Sequence, residues 1–95
     1  MATNITQLED DERNMIVLRV EGEMFKQDAD LLRKISEDLR STTERKISLD
    51  LSDLDLLDSD AAAVIREMEQ TDDFQVEGIP FFVQKVVSET ESKTG

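Results

Sequence analysis

The feature that most constrains the fold of this chain is a change of hydrophobic period between Lys46 and Gln70. Ile47, Leu49 and Leu51 alternate with Ser48, Asp50 and Ser52, the pattern of a strand with one buried face. This spacing predicts a strand ending near Ser52. After a short leucine-rich connection, Ala61, Val64, Ile65 and Met68 fall at i, i+3, i+4 and i+7, the apolar stripe of a helix beginning near Ser59. Asp58, Ser59 and Asp60 stand at the junction. Ser59 or Asp58 can accept from the free N–H groups of the first turn, and the negative charge meets the positive end of the helix dipole.

The remaining segments arrange themselves around this unit. Residues 4–9 are weakly strand-like, and Asp10 to Arg13 form a polar turn before the apolar run Met15 to Val20, which together predict a hairpin. Ile16, Leu18 and Val20 point to the core while Met15, Val17 and Arg19 point away, as in a central strand, and Gly22 breaks the run. Asp28 is the expected N-cap of a helix running to about Arg40. Its stripe is Leu32, Ile35 and Leu39 with Leu31 alongside, and its charged face pairs Asp30 with Lys34 and Arg33 with Glu37. Phe74 to Glu77 read as a short strand closed by Gly78. Pro80 opens a third helix with Phe82, Val83, Val86 and Val87 on its apolar face, and residues 91–95 form a fraying tail. The order β-β-α-β-α-β-α defines an α/β fold. It predicts a mixed sheet of about four strands, right-handed crossovers and helices mainly on one face, in one domain spanning residues 1–95 with an ordered core of about 4–90.

Charge and missing residue types narrow the chemistry. Eleven Lys and Arg stand against 23 Asp and Glu, and the net charge of −12 repels nucleic-acid phosphates and anionic lipid surfaces. Such acidity either steers the chain to a basic patch on a partner or simply keeps it soluble. Cysteine and histidine are absent, which removes disulfides, thiolate sites, the usual general base and the usual metal ligand. Ser59 therefore has no histidine to activate it, no glycine loop cradles a phosphate, and neither catalysis nor a cofactor is expected. Counting from Asp50, a calcium loop would need glycine at Asp55 and glutamate at Ala61, so that pattern fails. Asp50, near the end of its strand, leaves open a phospho-acceptor or metal-dependent reading. With no apolar run of about 20 residues, a cytoplasmic location is expected.

ISLDLS, a short hydrophobic link, and then Asp-Ser-x-[small]-x-x-x-[apolar] opening a helix resemble the signature of STAS domains, the family of bacterial anti-sigma factor antagonists. The resemblance extends over about residues 4–90, and the opening hairpin agrees with it. In that family Asp-Ser is usually followed by a second serine and a glycine. A partner kinase that also serves as the anti-sigma factor phosphorylates that serine. Here Asp60 occupies the phospho-acceptor position and Ala61 the glycine position. The resemblance implies a non-catalytic module of signal transduction and transcription regulation, working by partner switching. It would dock an anti-sigma factor or serine-kinase-like ATPase through Asp58, Ser59, Asp60, Ala61 and Val64, or serve as a scaffold in a larger STAS-containing signalling or transport assembly. Asp60 cannot accept phosphate from a serine kinase, and its carboxylate carries part of a phosphoserine's charge. The oligomeric state is left open.

Overall fold

A computed structural model describes residues 3–78; the expected third helix and the tail lie outside the described residues. The elements are β1 (Thr3–Asp10), β2 (Met15–Met24), α1 (Lys26–Thr42), β3 (Lys46–Leu57), α2 (Ser59–Glu69) and β4 (Phe74–Glu77). The sheet order is β1-β2-β3-β4. β1 and β2 form the antiparallel hairpin, with Asn14 in the left-handed region at its turn (φ 54°), and β3 and β4 each join their neighbour in parallel. Both parallel connections run through a helix, as such connections require.

The core lies between one sheet face and the two helices. Leu18, Val20, Ile47, Leu49 and Leu51 are almost wholly buried there beside Met24, Leu32, Ile65 and Met68. Burying one such side chain contributes about 1.5–3 kcal/mol, so this stripe is the main source of stability. Helix α1 differs in detail from expectation. It starts at Lys26 with Phe25 as N-cap, and Asp28 sits in the first turn, accepting from the Phe25 N–H at 2.9 Å. A carboxylate in the third helical position reaches back to the cap as readily as a capping side chain reaches forward. The buried stripe is Ala29, Leu32 and Ser36, with Ile35 and Leu39 partly buried against it, while Leu31 is exposed. Asp30 pairs backward with Lys26 at 2.9 Å rather than forward with Lys34, and Arg33 bridges Glu37 and Glu67 of α2.

β3 does not end near Ser52 but continues to Leu57, and the leucine-rich link is part of the strand. Between Arg19 and Glu21 of β2, β3 runs from Asp50 to Asp53, and between Gly22 and Glu23 it runs from Leu54 to Leu56. Each step inserts one extra residue into β3, a β-bulge that resets which side chains face inward. Leu51, Leu54 and Leu57 therefore all reach the core although they are three apart. Gly22 lies inside β2 at these irregularities, with φ 91°, rather than ending it.

Candidate partner-docking edge

Because β2 and β3 are parallel, both end at the same edge of the sheet, and each leads directly into a helix. The Asp58 N–H donates to the Met24 carbonyl at 3.1 Å, fastening the start of α2 beside the start of α1. Two positive helix ends thus emerge together. Asp58 caps α2: its Oδ1 accepts from the Ala61 N–H at 2.7 Å. Asp60, in the first turn, is exposed and accepts no hydrogen bond among the described residues. It faces the charge of Lys26, whose ammonium is pushed above its ordinary value first by its hydrogen bond to Asp30, then by the Asp30 charge and, more weakly, by Asp60.

The five residues expected to form the site divide between surface and core. Asp58 is partly exposed and Ser59 and Asp60 are fully at the surface, whereas Ala61 is completely buried and Val64 is only 7% exposed. The i, i+3 spacing that places Ala61 and Val64 on one stripe points that stripe into the core. Phe25 (46% exposed) and Leu56 (39%) stand at the same edge and did not enter the sequence reading. Their signal is legible nonetheless. Met24-Phe25 and Leu56-Leu57 are adjacent apolar pairs at strand ends, and where neighbours point to opposite sides one of each pair is turned out. Met24 and Leu57 are buried, and Phe25 and Leu56 are left at the surface.

Asp50 belongs to a different surface, the sheet face opposite the core. Its Oδ1 accepts from the Ser52 N–H at 3.0 Å and from the Ser52 Oγ at 2.7 Å, bracing the first bulge, and Arg19 Nε lies 3.6 Å from Oδ2. Burial works to raise its pKa, but the two Ser52 bonds and the Arg19 charge together outweigh burial and hold it below the usual carboxylate range. On the same face Arg13 bridges Asp10 at 2.6 Å and Glu77 at 3.2 Å, and the Ser48 hydroxyl donates to Glu77. Asp10, Arg13, Arg19, Asp50 and Glu77 line a concavity of about 430 Å³ together with Leu8 and Val17. Among the described residues no group of three or more carboxylates is placed to hold a metal ion, and the charged partner of Asp50 is Arg19. No helix among the described residues is long and apolar enough to cross a membrane.

A hairpin followed by two helix-crossed parallel strands, with a capped acidic helix start at the edge where the strands end, defines a small α/β domain with a mixed four-stranded sheet. The STAS domain family model matches residues 6–86, and the chain belongs to that family. Among solved structures it is similar to the anti-sigma factor antagonist SpoIIAA in its unphosphorylated form. That match has a TM-score of 0.63 and 21% identity, covering 95% of this chain and 81% of that one. It is also similar to an antisigma-factor antagonist STAS domain from Rhodobacter sphaeroides, with a TM-score of 0.50 and 16% identity, covering 93% and 94% of the two chains. At these identities the likeness speaks for the fold. No curated protein sequence matches the chain.

Proposed function

We propose that this protein is a non-catalytic docking module, resembling an anti-sigma factor antagonist, that works without phosphorylation at the family's acceptor position. Its partner is a cytoplasmic anti-sigma factor or serine-kinase-like ATPase, which meets Ser59, Asp60 and the neighbouring Phe25 and Leu56. One observation carries this reading: Asp58 makes the cap, and the exposed Asp60 carboxylate has no hydrogen-bonding role among the described residues. Its one negative charge stands where a serine would gain nearly two on phosphorylation, so the module is held in a single, partly phosphoserine-like state. Phe25 and Leu56, exposed where β2 and β3 end, add apolar surface at the same edge of the sheet.

The test is retention of partners from native lysate by the wild-type protein and by Asp60→Ser, with and without ATP, read by mass spectrometry. An anti-sigma-like protein or ATPase that binds only the serine variant and then adds phosphate at residue 60 supports a switch held off by Asp60. Equal retention of one partner by both proteins instead makes the module a scaffold, as in a larger STAS-containing assembly. Retention of nothing specific by either protein removes the docking reading.

A further inference from the structure

The outer edge of β1 carries no charged side chain from Thr3 to Leu8, in a chain that is otherwise strongly acidic. β1 pairs only with β2, so along residues 3–10 one row of backbone N–H and C=O groups has no strand partner among the described residues. Natural edge strands are usually blunted by lysine, proline, a bulge or extreme shortness. β4, at the opposite edge, is four residues long. β1 has eight residues in an uninterrupted register with β2, and residues 3–8, TNITQL, contain no charge and no proline. Asn4, Thr6, Gln7 and Leu8 are exposed.

We propose that β1 pairs antiparallel with β1 of a second copy, about a two-fold axis at Thr6, joining two four-stranded sheets into one of eight strands. Charge selects this occupant. A basic partner is drawn to the acidic remainder of the surface and gains nothing from a neutral edge. A second copy, with its own net charge of −12, is repelled least where charge is missing. With Thr6 opposite Thr6, Asn4 faces Leu8 and Ile5 faces Gln7 of the other copy. The two Glu9 side chains then stand at opposite ends of the ladder, six residues or roughly 20 Å apart. That is more than twice the screening length of about 8 Å at physiological ionic strength. A parallel arrangement would set Glu9 beside Glu9 and Asp10 beside Asp10, and like charges directly opposed destabilise a strand pair.

Sedimentation equilibrium of the wild type, Thr6→Asp and Thr6→Lys at 0.05 and 0.5 M NaCl tests the pairing, with circular dichroism to verify folding. The expected result is a wild-type mass twice that of the chain, an association tightened by salt, and monomers for both variants. Both substitutions oppose like charges across the axis, although lysine lowers the net acidity of the chain. A monomeric wild type at both salt concentrations, or a Thr6→Lys variant that dimerises like the wild type, overturns the proposal. Amide hydrogen exchange of the wild type is the companion measurement: concentration-dependent protection in β1 is expected, and its absence counts against the pairing even if a variant fails to fold.

Discussion

Replacing Asp58 by alanine tests whether the start of α2 is organised as described. The substitution removes the acceptor for the Ala61 N–H, a bond of 2.7 Å in a partly buried position, and also a negative charge at a positive helix end. A lost side-chain cap costs about 1 kcal/mol, and the charge adds about 0.5 kcal/mol. The sum, about 1.5 kcal/mol, lowers the melting temperature of a domain this size by roughly 6–12 °C. Asp58→Asn keeps an oxygen acceptor and loses only the charge, so its expected shift is roughly 2–4 °C. Asp60→Ser breaks no hydrogen bond and falls in the same small range, which shrinks further in 0.5 M NaCl as the charge is screened. Thermal melts followed by far-ultraviolet circular dichroism at pH 7 distinguish these cases. The reasoning fails if Asp58→Ala melts within 2 °C of the wild type, or if Asp60→Ser is as damaging as Asp58→Ala.

Three further outcomes are expected. Gly78→Ala would place a Cβ 2.5 Å from Asp50 Oδ1 and 2.9 Å from the Ser52 Cβ, at a φ of +68° that favours glycine. Its cost in urea unfolding should be about 2–4 kcal/mol, and a loss under about 1 kcal/mol would show that the Asp50 turn is not packed against this residue. Leu49→Ala should cost about 2–5 kcal/mol by emptying a core position, whereas Ser36→Ala, also fully buried, should cost less than about 1 kcal/mol, because the hydroxyl only back-bonds to the Leu32 carbonyl of its own helix. Equal losses in urea would contradict that assignment. Asp50 has a folded pKa below its ordinary value of 3.8, so it adds stability above the unfolded value and loses it as pH falls through the folded one. Urea midpoints between pH 2.5 and 5 should therefore fall less steeply for Asp50→Asn than for the wild type; an unchanged slope would remove Asp50 from the acid response.

Much of this architecture is legible in the residues themselves, and the misses have physical causes. The β4 span and its closing Gly78 follow from a short apolar run between polar and glycine punctuation. β2 is central because both of its faces carry apolar side chains, and Met15 and Val17 are in fact buried on the face away from the helices. The length of β3 was hidden because alternation is a signal only while the pairing stays in register. Two bulges convert it into a spacing of three, Leu51-Leu54-Leu57, which resembles a loop or a helix more than a strand. The position of Asp60 at a helix start was readable from the period change before it. That Ala61 and Val64 serve the core follows from their place on the apolar stripe of α2, whereas the arrival of Phe25 from a distant segment at the same edge depends on parallel pairing across the α1 crossover, which local patterns do not encode.

The unequal lengths of β3 and β4 have a consequence for how the sheet opens. β4 covers β3 only from Ile47 to Asp50, so residues 51–57 are hydrogen-bonded to a strand on one side alone among the described residues. Local opening follows such unevenness, with free energies that run from near zero up to the global value within one domain. The half of β3 beside β4 should exchange its amide protons only when the whole molecule unfolds. The half that leads into Asp58 should exchange through smaller excursions at intermediate rates. The segment that presents Asp60 is thus tethered to a rigid root and is itself easier to loosen, so a bound partner would be visible as slowed exchange there while the rest of the sheet stays unchanged.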